Sequence, residues 1–436
     1  MKSFKKICSL LLVVFSLVSC SNKNNIEVLS ISSTQLRIPT TLTGKWVNPF
    51  NTVMKLDYYK NSKTKYEENF DETLKAFYLD TVSSLHKQFD RHYSYYDDNN
   101  ETITSIKTIN DSYGSSEKIY CSDELYSLVY DGWELTKLTN GYFNFFIGNL
   151  NNYWEEIFSR FNNYEIVDEY DPLLNEVSKT KLNKLVASVP TLEEIESLIT
   201  FNENEKSIVF NSLEDIEYNG EILSRSSSNS QYRPVITTGG IAKGHATDII
   251  KNRLKVNNYL TGYLNSGSSS LSMLSDPTFT KTGKQTINIR DPRTSMYNSE
   301  IAFSLSFDKE FNLSTSGNYT SGKSYWIKLK EDSKKIYRHH IVNPFTGECS
   351  QYHTSVTIFS NTFTNGQLDA LSTTLVNLST EEGLNFRKSL LKLFPNHDLG
   401  IVYIASDLDN GLKITITEDT KDTVTFIKEG AIVNYE

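Results

Sequence analysis

Thr237-Thr238-Gly239-Gly240-Ile241-Ala242-Lys243-Gly244-His245-Ala246-Thr247-Asp248 is the stretch on which the reading of this chain turns. The apolar pair Val235-Ile236 precedes it, and Ala246, Ile249, Ile250 and Leu254 recur at helical spacing through and beyond it. The pattern predicts a strand over 235–238, a glycine turn, and a helix to about Val256. Adjacent glycines let backbone approach a ligand closely, and the N-terminus of the following helix favours anions. A phosphate-bearing ligand would fit there, although a plain strand-to-helix turn has the same form. The order is neither Gly-x-x-x-x-Gly-Lys-Ser/Thr nor Gly-x-Gly-x-x-Gly, so neither a P-loop nor a Rossmann turn is indicated.

Two later segments carry chemistry of their own. In Asp369-Ala370-Leu371-Ser372-Thr373 a carboxylate and a hydroxyl stand one helical turn apart on one face. Both are hard oxygen ligands of the kind magnesium takes beside a phosphate. The alternative is that Asp369 caps its helix and Thr373 bonds back to the backbone. In His339-His340-Ile341-Val342-Asn343-Pro344-Phe345-Thr346-Gly347 a histidine pair leads off a strand into a turn. An imidazole there could act as a general base near neutral pH, or be structural.

Outward from these segments, the apolar spacing predicts helices over 71–90, 122–139, 191–198, 367–378 and 381–393. Ser122 suits the start of the second, and Asn140-Gly141 its stop. Strands are expected over 50–59, 207–210, 286–289, 301–307, 325–329, 353–359 and 400–405. Residues 162–189 and 224–232 are charged or polar and weakly patterned, and both read as surface excursions. Helices and strands mix without regular βαβ alternation, so the fold class is α+β, with mixed or antiparallel sheets.

At the N-terminus, Lys2, Lys5 and Lys6 precede an apolar run that ends in Leu17-Val18-Ser19-Cys20. The run falls short of the ~20 residues needed to span a bilayer. It reads as a lipoprotein signal over 1–19, with Cys20 as the lipidation site and residues 20–43 as a tether. The folded domain is then 44–436, placed outside the cytoplasm and held to the bacterial cell membrane by lipid. An ordinary cleaved signal with a chance cysteine is the alternative. The formal net charge of −9 comes without a dense Lys/Arg stripe, which argues against a nucleic-acid partner. Cys121 and Cys349 fit neither a metal knuckle nor a Cys-x-x-Cys redox pair, and are free thiols or one disulfide. The histidines are scattered apart from His339-His340, which gives zinc little support.

Taken in chain order, these blocks resemble the FAD:protein FMN transferase family, also called ApbE. Phe50-Asn51-Thr52 stands where that family has Met-Gly-Thr, and Tyr95-Tyr96-Asp97-Asp98 through Asn110 is similar to its S-T-Y-D-P…S…N segment. Thr139 to Asn144, followed by Gly148, Leu150 and Trp154, resembles T-G-G-A-F-D…G-L…W. The opening stretch matches D-L-G-G-I-A-K-G-Y-A-V-D most specifically. Asn265 to Ser269 resembles N-L-G-G-D, Ser316 to Tyr319 S-G-D-Y, His340 to Gly347 H-I-I-D-P-R-T-G, and Leu368 to Thr373 A-D-A-L-A-T.

The resemblance implies a single T-fold-like catalytic domain and a function. Magnesium would sit on Asp369 and Thr373, with the Gly240 carbonyl as a further ligand. FAD, as substrate, would lie against Phe50, Tyr96, Tyr142, Phe143, Asn144, Thr237, Lys243 and Ile341. His340 would serve as base or orient the phosphate, with Lys243 as a second charge stabiliser. FMN would pass to a Ser/Thr hydroxyl of an extracytoplasmic acceptor protein, and AMP would leave. Thr237, Asn144, Ser269 and Asn343 replace carboxylates of the family pattern, and Phe50 replaces its methionine. An FAD-binding lipoprotein that no longer transfers, and a magnesium-dependent FAD pyrophosphatase, are therefore the alternatives. Ser266-Gly267-Ser268-Ser269 looks superficially like an FMN-accepting sequence, but reads as a glycine turn of the fold.

Overall fold

The computed structural model describes residues 26–40, 46–280, 282–294, 298–318, 324–328, 335–405 and 411–436. The signal segment, Cys20 and Tyr319 lie outside them. The strands that position the site begin with β1 (Ile26–Ser32), β2 (Met54–Asn61), β3 (Gly262–Ser266), β4 (Ser270–Met273) and β5 (Asn312–Gly317). They continue with β6 (Ser324–Lys328), β7 (Lys335–His339), β8 (His353–Ser360), β9 (Gly400–Ala405), β10 (Lys413–Ile416) and β11 (Ile432–Tyr435).

Nine of these form one sheet in the order β1-β2-β3-β4-β5-β8-β9-β10-β11. Its pairings are antiparallel except β10–β11, and β6–β7 is a separate hairpin. The α+β expectation with mixed and antiparallel sheets is met.

Side-chain alternation decides what each face meets. On β8 and β9, Val356, Ile358, Ile401 and Tyr403 pack under a helix, while Phe359, Val402 and Ile404 face the other way. That second face is covered by a small sheet of Gln285–Arg290, Ile301–Phe307 and Val424–Ile427. Every residue of β8 is consequently buried.

Seven helices complete the frame: α1 (Phe70–Phe89), α2 (Asp123–Leu138), α3 (Gly148–Asn162), α4 (Glu176–Ala187), α5 (Ala242–Val256), α6 (Asn365–Val376) and α7 (Thr380–Leu393). Helices α1, α2 and α5 bury Leu74, Tyr78, Val82, Leu85, Leu125, Leu128, Ile250 and Leu254 against Met54 and Leu56 of β2 and Leu264 of β3. The local signals work as read. Ser122 accepts the Leu125 N–H at the start of α2. Asn140 and Gly141 end it with φ of 49° and 80°.

Helices α5 and α6 cross at a glycine. A Cβ on Gly244 would lie 2.1 Å from the Asn365 carbonyl oxygen, so no other residue allows this approach. Asp248 of α5 then accepts the Asn365 N–H (3.0 Å) and the Gly366 N–H (2.8 Å), satisfying unpaired donors at the start of α6. The two helices are thereby locked in register.

Three expectations are corrected. Part of the expected tether, 26–40, is folded: β1 pairs with β2 from Ile26↔Asn61 to Ser32↔Lys55. Its faces are mostly accessible, as suits an edge strand, and the apolar signal is correspondingly thin. The segment 162–189 is no mere surface excursion. Leu182 and Leu185 of α4 are buried beside Trp154, Val342 and Cys349, and two leucines were too few to show a period. No strand forms over 235–238, where the only pairing is an isolated parallel bridge, Ile147↔Val235. The Asn110 side chain instead donates to the Ile236 carbonyl (3.1 Å) and accepts its N–H (2.7 Å), doing for that residue what a neighbouring strand would.

Candidate functional site

The glycine turn enters α5 against one face of α6, and this places Asp369 and Thr373 beside Gly240 and Lys243. Asp369 is only 2% exposed. Its Oδ2 accepts the Gly244 N–H (3.2 Å) and lies 3.6 Å from Lys243 Nζ, which also donates to the Gly239 carbonyl at 3.2 Å. The Thr373 hydroxyl donates to the Asp369 carbonyl (3.0 Å) and stands 3.4 Å from Ser316 Oγ. A Cβ on Gly240 would come within 3.0 Å of Thr373 Oγ1 and 3.3 Å of the Phe143 ring.

Of the bland alternatives, Thr373 does bond back to the backbone, but Asp369 is not the helix cap. Thr364 and Gln367 form the capping box of α6. A buried carboxylate needs a partner, and among the described residues Lys243 is the cation paired with it. The oxygens at this spot are the Asp369 carboxylate, the Thr373 hydroxyl with Ser316 Oγ 3.4 Å from it, and the adjoining backbone of Gly240. No cluster of three or more His, Cys, Asp or Glu that could hold a metal occurs among the described residues. So sparse a set of hard oxygens suits magnesium, which keeps several waters and shares ligands with phosphate.

The loop after α2 forms the adjoining wall. The Thr139 hydroxyl binds both the N–H and the carbonyl of Phe143 (3.2 and 3.1 Å), which fixes that ring beside Gly240. Asn144 accepts the Phe146 N–H at 2.9 Å. Thr237 donates its N–H to the Phe145 carbonyl (2.8 Å), and its hydroxyl accepts from Asn151 at 2.8 Å. One turn beyond Thr373, the Asn377 amide donates to the carbonyls of Tyr142 and Val342 (3.3 Å each), tying this loop to the turn after β7. The Tyr142 ring meets Phe345 edge-on at 5.0 Å, and Ile341 is buried beneath.

Phe50 joins from the other side. Its ring lies against His86 and Phe89, and the Phe89 carbonyl accepts the Thr238 hydroxyl at 3.3 Å, next to Gly239. Tyr96 stands apart, 39% exposed and bridged to Thr102, and makes none of these contacts.

The two adjacent histidines differ in kind. His339 is buried, with Nδ1 accepting the Ile341 N–H (3.2 Å) and Nε2 donating to the Ser350 carbonyl (2.6 Å). Burial holds its pKa down to about 4, so it is neutral at pH 7 and structural. His340, the residue after β7, is exposed.

Behind this turn is a group that sequence reading missed. Arg338, just before the histidines, makes a bidentate pair with Asp171 (2.8 and 2.9 Å), both fully buried. Tyr325 donates to the same carboxylate at 2.7 Å, and Glu348 pairs with the other side of the guanidinium. Arg338 also stacks over Trp154, whose Nε1–H donates to the Gly347 carbonyl at 2.8 Å. No local pattern marks Asp171 or Asn377, because each acts on backbone or charge far away in sequence. Asp248 and Asn110 did have a signal, as the last residues of the decisive stretch and of the segment that begins at Tyr95.

The Gly239–Lys243 turn, the Asp369–Thr373 pair and the Thr139–Asn144 loop thus come together, and comparison with known proteins bears on what that place is. Flavin transferase ApbE from Vibrio cholerae superposes with a TM-score of 0.57 at 16% identity, over 92% of this chain and 100% of that one. The ApbE protein of Thermotoga maritima MSB8 gives 0.58 at 20% identity, over 91% and 99%. Apo Pseudomonas stutzeri flavinyl transferase ApbE gives 0.56 at 15%, over 93% and 98%. A comparison with curated protein sequences gives no match. At such identities the solved structures speak for the fold. Membership rests on the ApbE family model, which matches residues 50–394 and so takes in every quoted block from Phe50 to the Asp369–Thr373 pair: the chain belongs to the ApbE family.

Proposed function

We propose that this chain is a magnesium-dependent flavin transferase that moves FMN from FAD to a Ser or Thr hydroxyl of an extracytoplasmic acceptor protein and releases AMP. The observation that carries the reading is the meeting of Gly240, Lys243, Asp369 and Thr373 at the α5–α6 crossing, beside Phe143. Asp369, Thr373 and the Gly240 carbonyl would hold magnesium, which when bound polarises a pyrophosphate and neutralises charge developing on it. Lys243 adds a fixed positive charge on the same side. Phe50, Tyr142, Phe143 and Ile341 offer apolar surface to a flavin ring, and Asn144 and Thr237 offer polar groups. His340 accepts the proton of the acceptor hydroxyl, whose oxygen bonds the FMN phosphorus while the phosphoanhydride bond to AMP breaks.

The deciding experiment incubates the purified chain with FAD, magnesium and an FMN-accepting domain, and reads in-gel flavin fluorescence together with released nucleotide. Labelled acceptor with one AMP per flavin is expected, and chelation should abolish both. Free FMN and AMP without labelled acceptor would instead mark a pyrophosphatase. FAD bound but unconverted would mark a binding protein.

The location is part of the same proposal. Cys20→Ser is expected to shift the protein out of the membrane fraction or leave it uncleaved, and fractionation identical to the parent would refute lipid anchoring.

A further inference from the structure

Phe50 and Asn51 are consecutive non-glycine residues in the left-handed region, with φ of 53° and 52°. A phenylalanine is rarely found there, because its Cβ crowds the backbone. Such a conformation persists only where the surroundings over-determine it. Local turns supply part of the hold, from Asn51 N–H to the Asn48 carbonyl and from Thr52 N–H to the Pro49 carbonyl. The bond from outside the loop comes from α1: the Phe50 N–H donates to His86 Nδ1 at 3.2 Å.

That bond fixes the tautomer of His86. Nδ1 must carry a lone pair, so Nε2 carries the proton and meets Tyr95 Oη at 3.2 Å. The Tyr95 hydroxyl in turn donates to Asp90 Oδ2 at 2.6 Å. A relay thus runs from Asp90 through Tyr95 and His86 to one backbone amide. His86 and Tyr95 are both buried, and burial holds the imidazole below its ordinary pKa, against the opposing pull of Asp90, which keeps the lone pair present at neutral pH.

We infer that His86 is a positioning residue for FAD, setting the Phe50 turn against the flavin through its Nδ1 lone pair. The inference rests on the flavin site proposed above. Neighbouring contacts agree with it. Phe50 leans on Phe89, whose carbonyl is held by Thr238 at the glycine turn. Behind the turn, Gly267 approaches Thr52 so closely that a Cβ would lie 2.4 Å from its Oγ1. The turn is pinned at both ends, and its middle is held by one imidazole nitrogen.

The test uses His86→Leu, which keeps bulk without an acceptor, and His86→Asn, which keeps an amide oxygen near the Nδ1 position. Tyr95→Phe removes only the hydroxyl that accepts the Nε2 proton and so supports that tautomer. FAD affinity by fluorescence quenching, KM and kcat would be measured for each, with thermal unfolding alongside. His86→Leu should weaken FAD binding and raise its KM by about tenfold, the scale of one buried donor left unpaired, with kcat changed far less. His86→Asn should recover most of the affinity, and Tyr95→Phe should lose part of it. A cooperatively folded His86→Leu protein that binds FAD like the parent would overturn the inference and leave the flavin site standing. So would a loss confined to kcat. If the leucine variant does not fold, Tyr95→Phe decides, and a parental KM there overturns the role. A parent protein that binds no FAD would remove the flavin site itself.

Discussion

Asp369→Ala is expected to lower FMN transfer by about two to three orders of magnitude, the loss typical of removing one preorganised charged or hydrogen-bonding group. The fold should survive, because Thr364 and Gln367 cap α6 and the Asp369 carboxylate accepts only the Gly244 N–H from the backbone. Thr373→Val keeps the shape and removes a neutral oxygen, and should cost about tenfold. If both residues hold one ion, the double variant should be little worse than Asp369→Ala. Transfer rate against magnesium concentration, with unfolding curves for each variant, checks all of this. A well-folded Asp369→Ala protein with parental magnesium dependence would remove the metal site from the proposal.

The largest effect on stability is expected at Asp171. Replacing it with alanine leaves the Arg338 guanidinium buried without its bidentate partner, at a cost of about 3–5 kcal/mol. Glu348, partly exposed, cannot compensate for both bonds. The paired change Asp171→Leu with Arg338→Met should recover much of the loss, since a buried pair replaced by apolar groups of similar size is often close to neutral. Urea unfolding of the three variants tests this, and an Asp171→Ala loss below about 1 kcal/mol would show that the pair is solvated. Transfer activity should fall as well, because Arg338 and Trp154 steady the strand and turn on either side of His340.

What could be read from sequence was whatever repeats or ends locally. The α2 helix announced itself through Ser122 and Asn140-Gly141, and α6 through a carboxylate and a hydroxyl one turn apart. β8 and β9 were legible as apolar runs because both of their faces are covered. Other features were settled by distant groups. Asn110 lies far along the chain from Ile236, yet its side chain stands in for a neighbouring strand there. His86 acts on a backbone amide and Asn377 on two carbonyls, and neither leaves a period behind. β1 was missed because an edge strand with accessible faces has little apolar alternation to show. Tyr96 was included by resemblance alone, and it is 39% exposed and bridged to Thr102.

The seam between α5 and α6 also bears on motion. Backbone in contact at Gly244 and Asn365, with Asp248 bonded across the same junction, has no slack for one helix to slide on the other. The cation cradle proposed on those helices should therefore stay rigid through a catalytic cycle. On the proposed function, admission of FAD and departure of AMP would instead fall to the connecting segments around Phe50 and Tyr142. Turnover would then be gated on the flavin side of the site, while the phosphate side works as a fixed anvil.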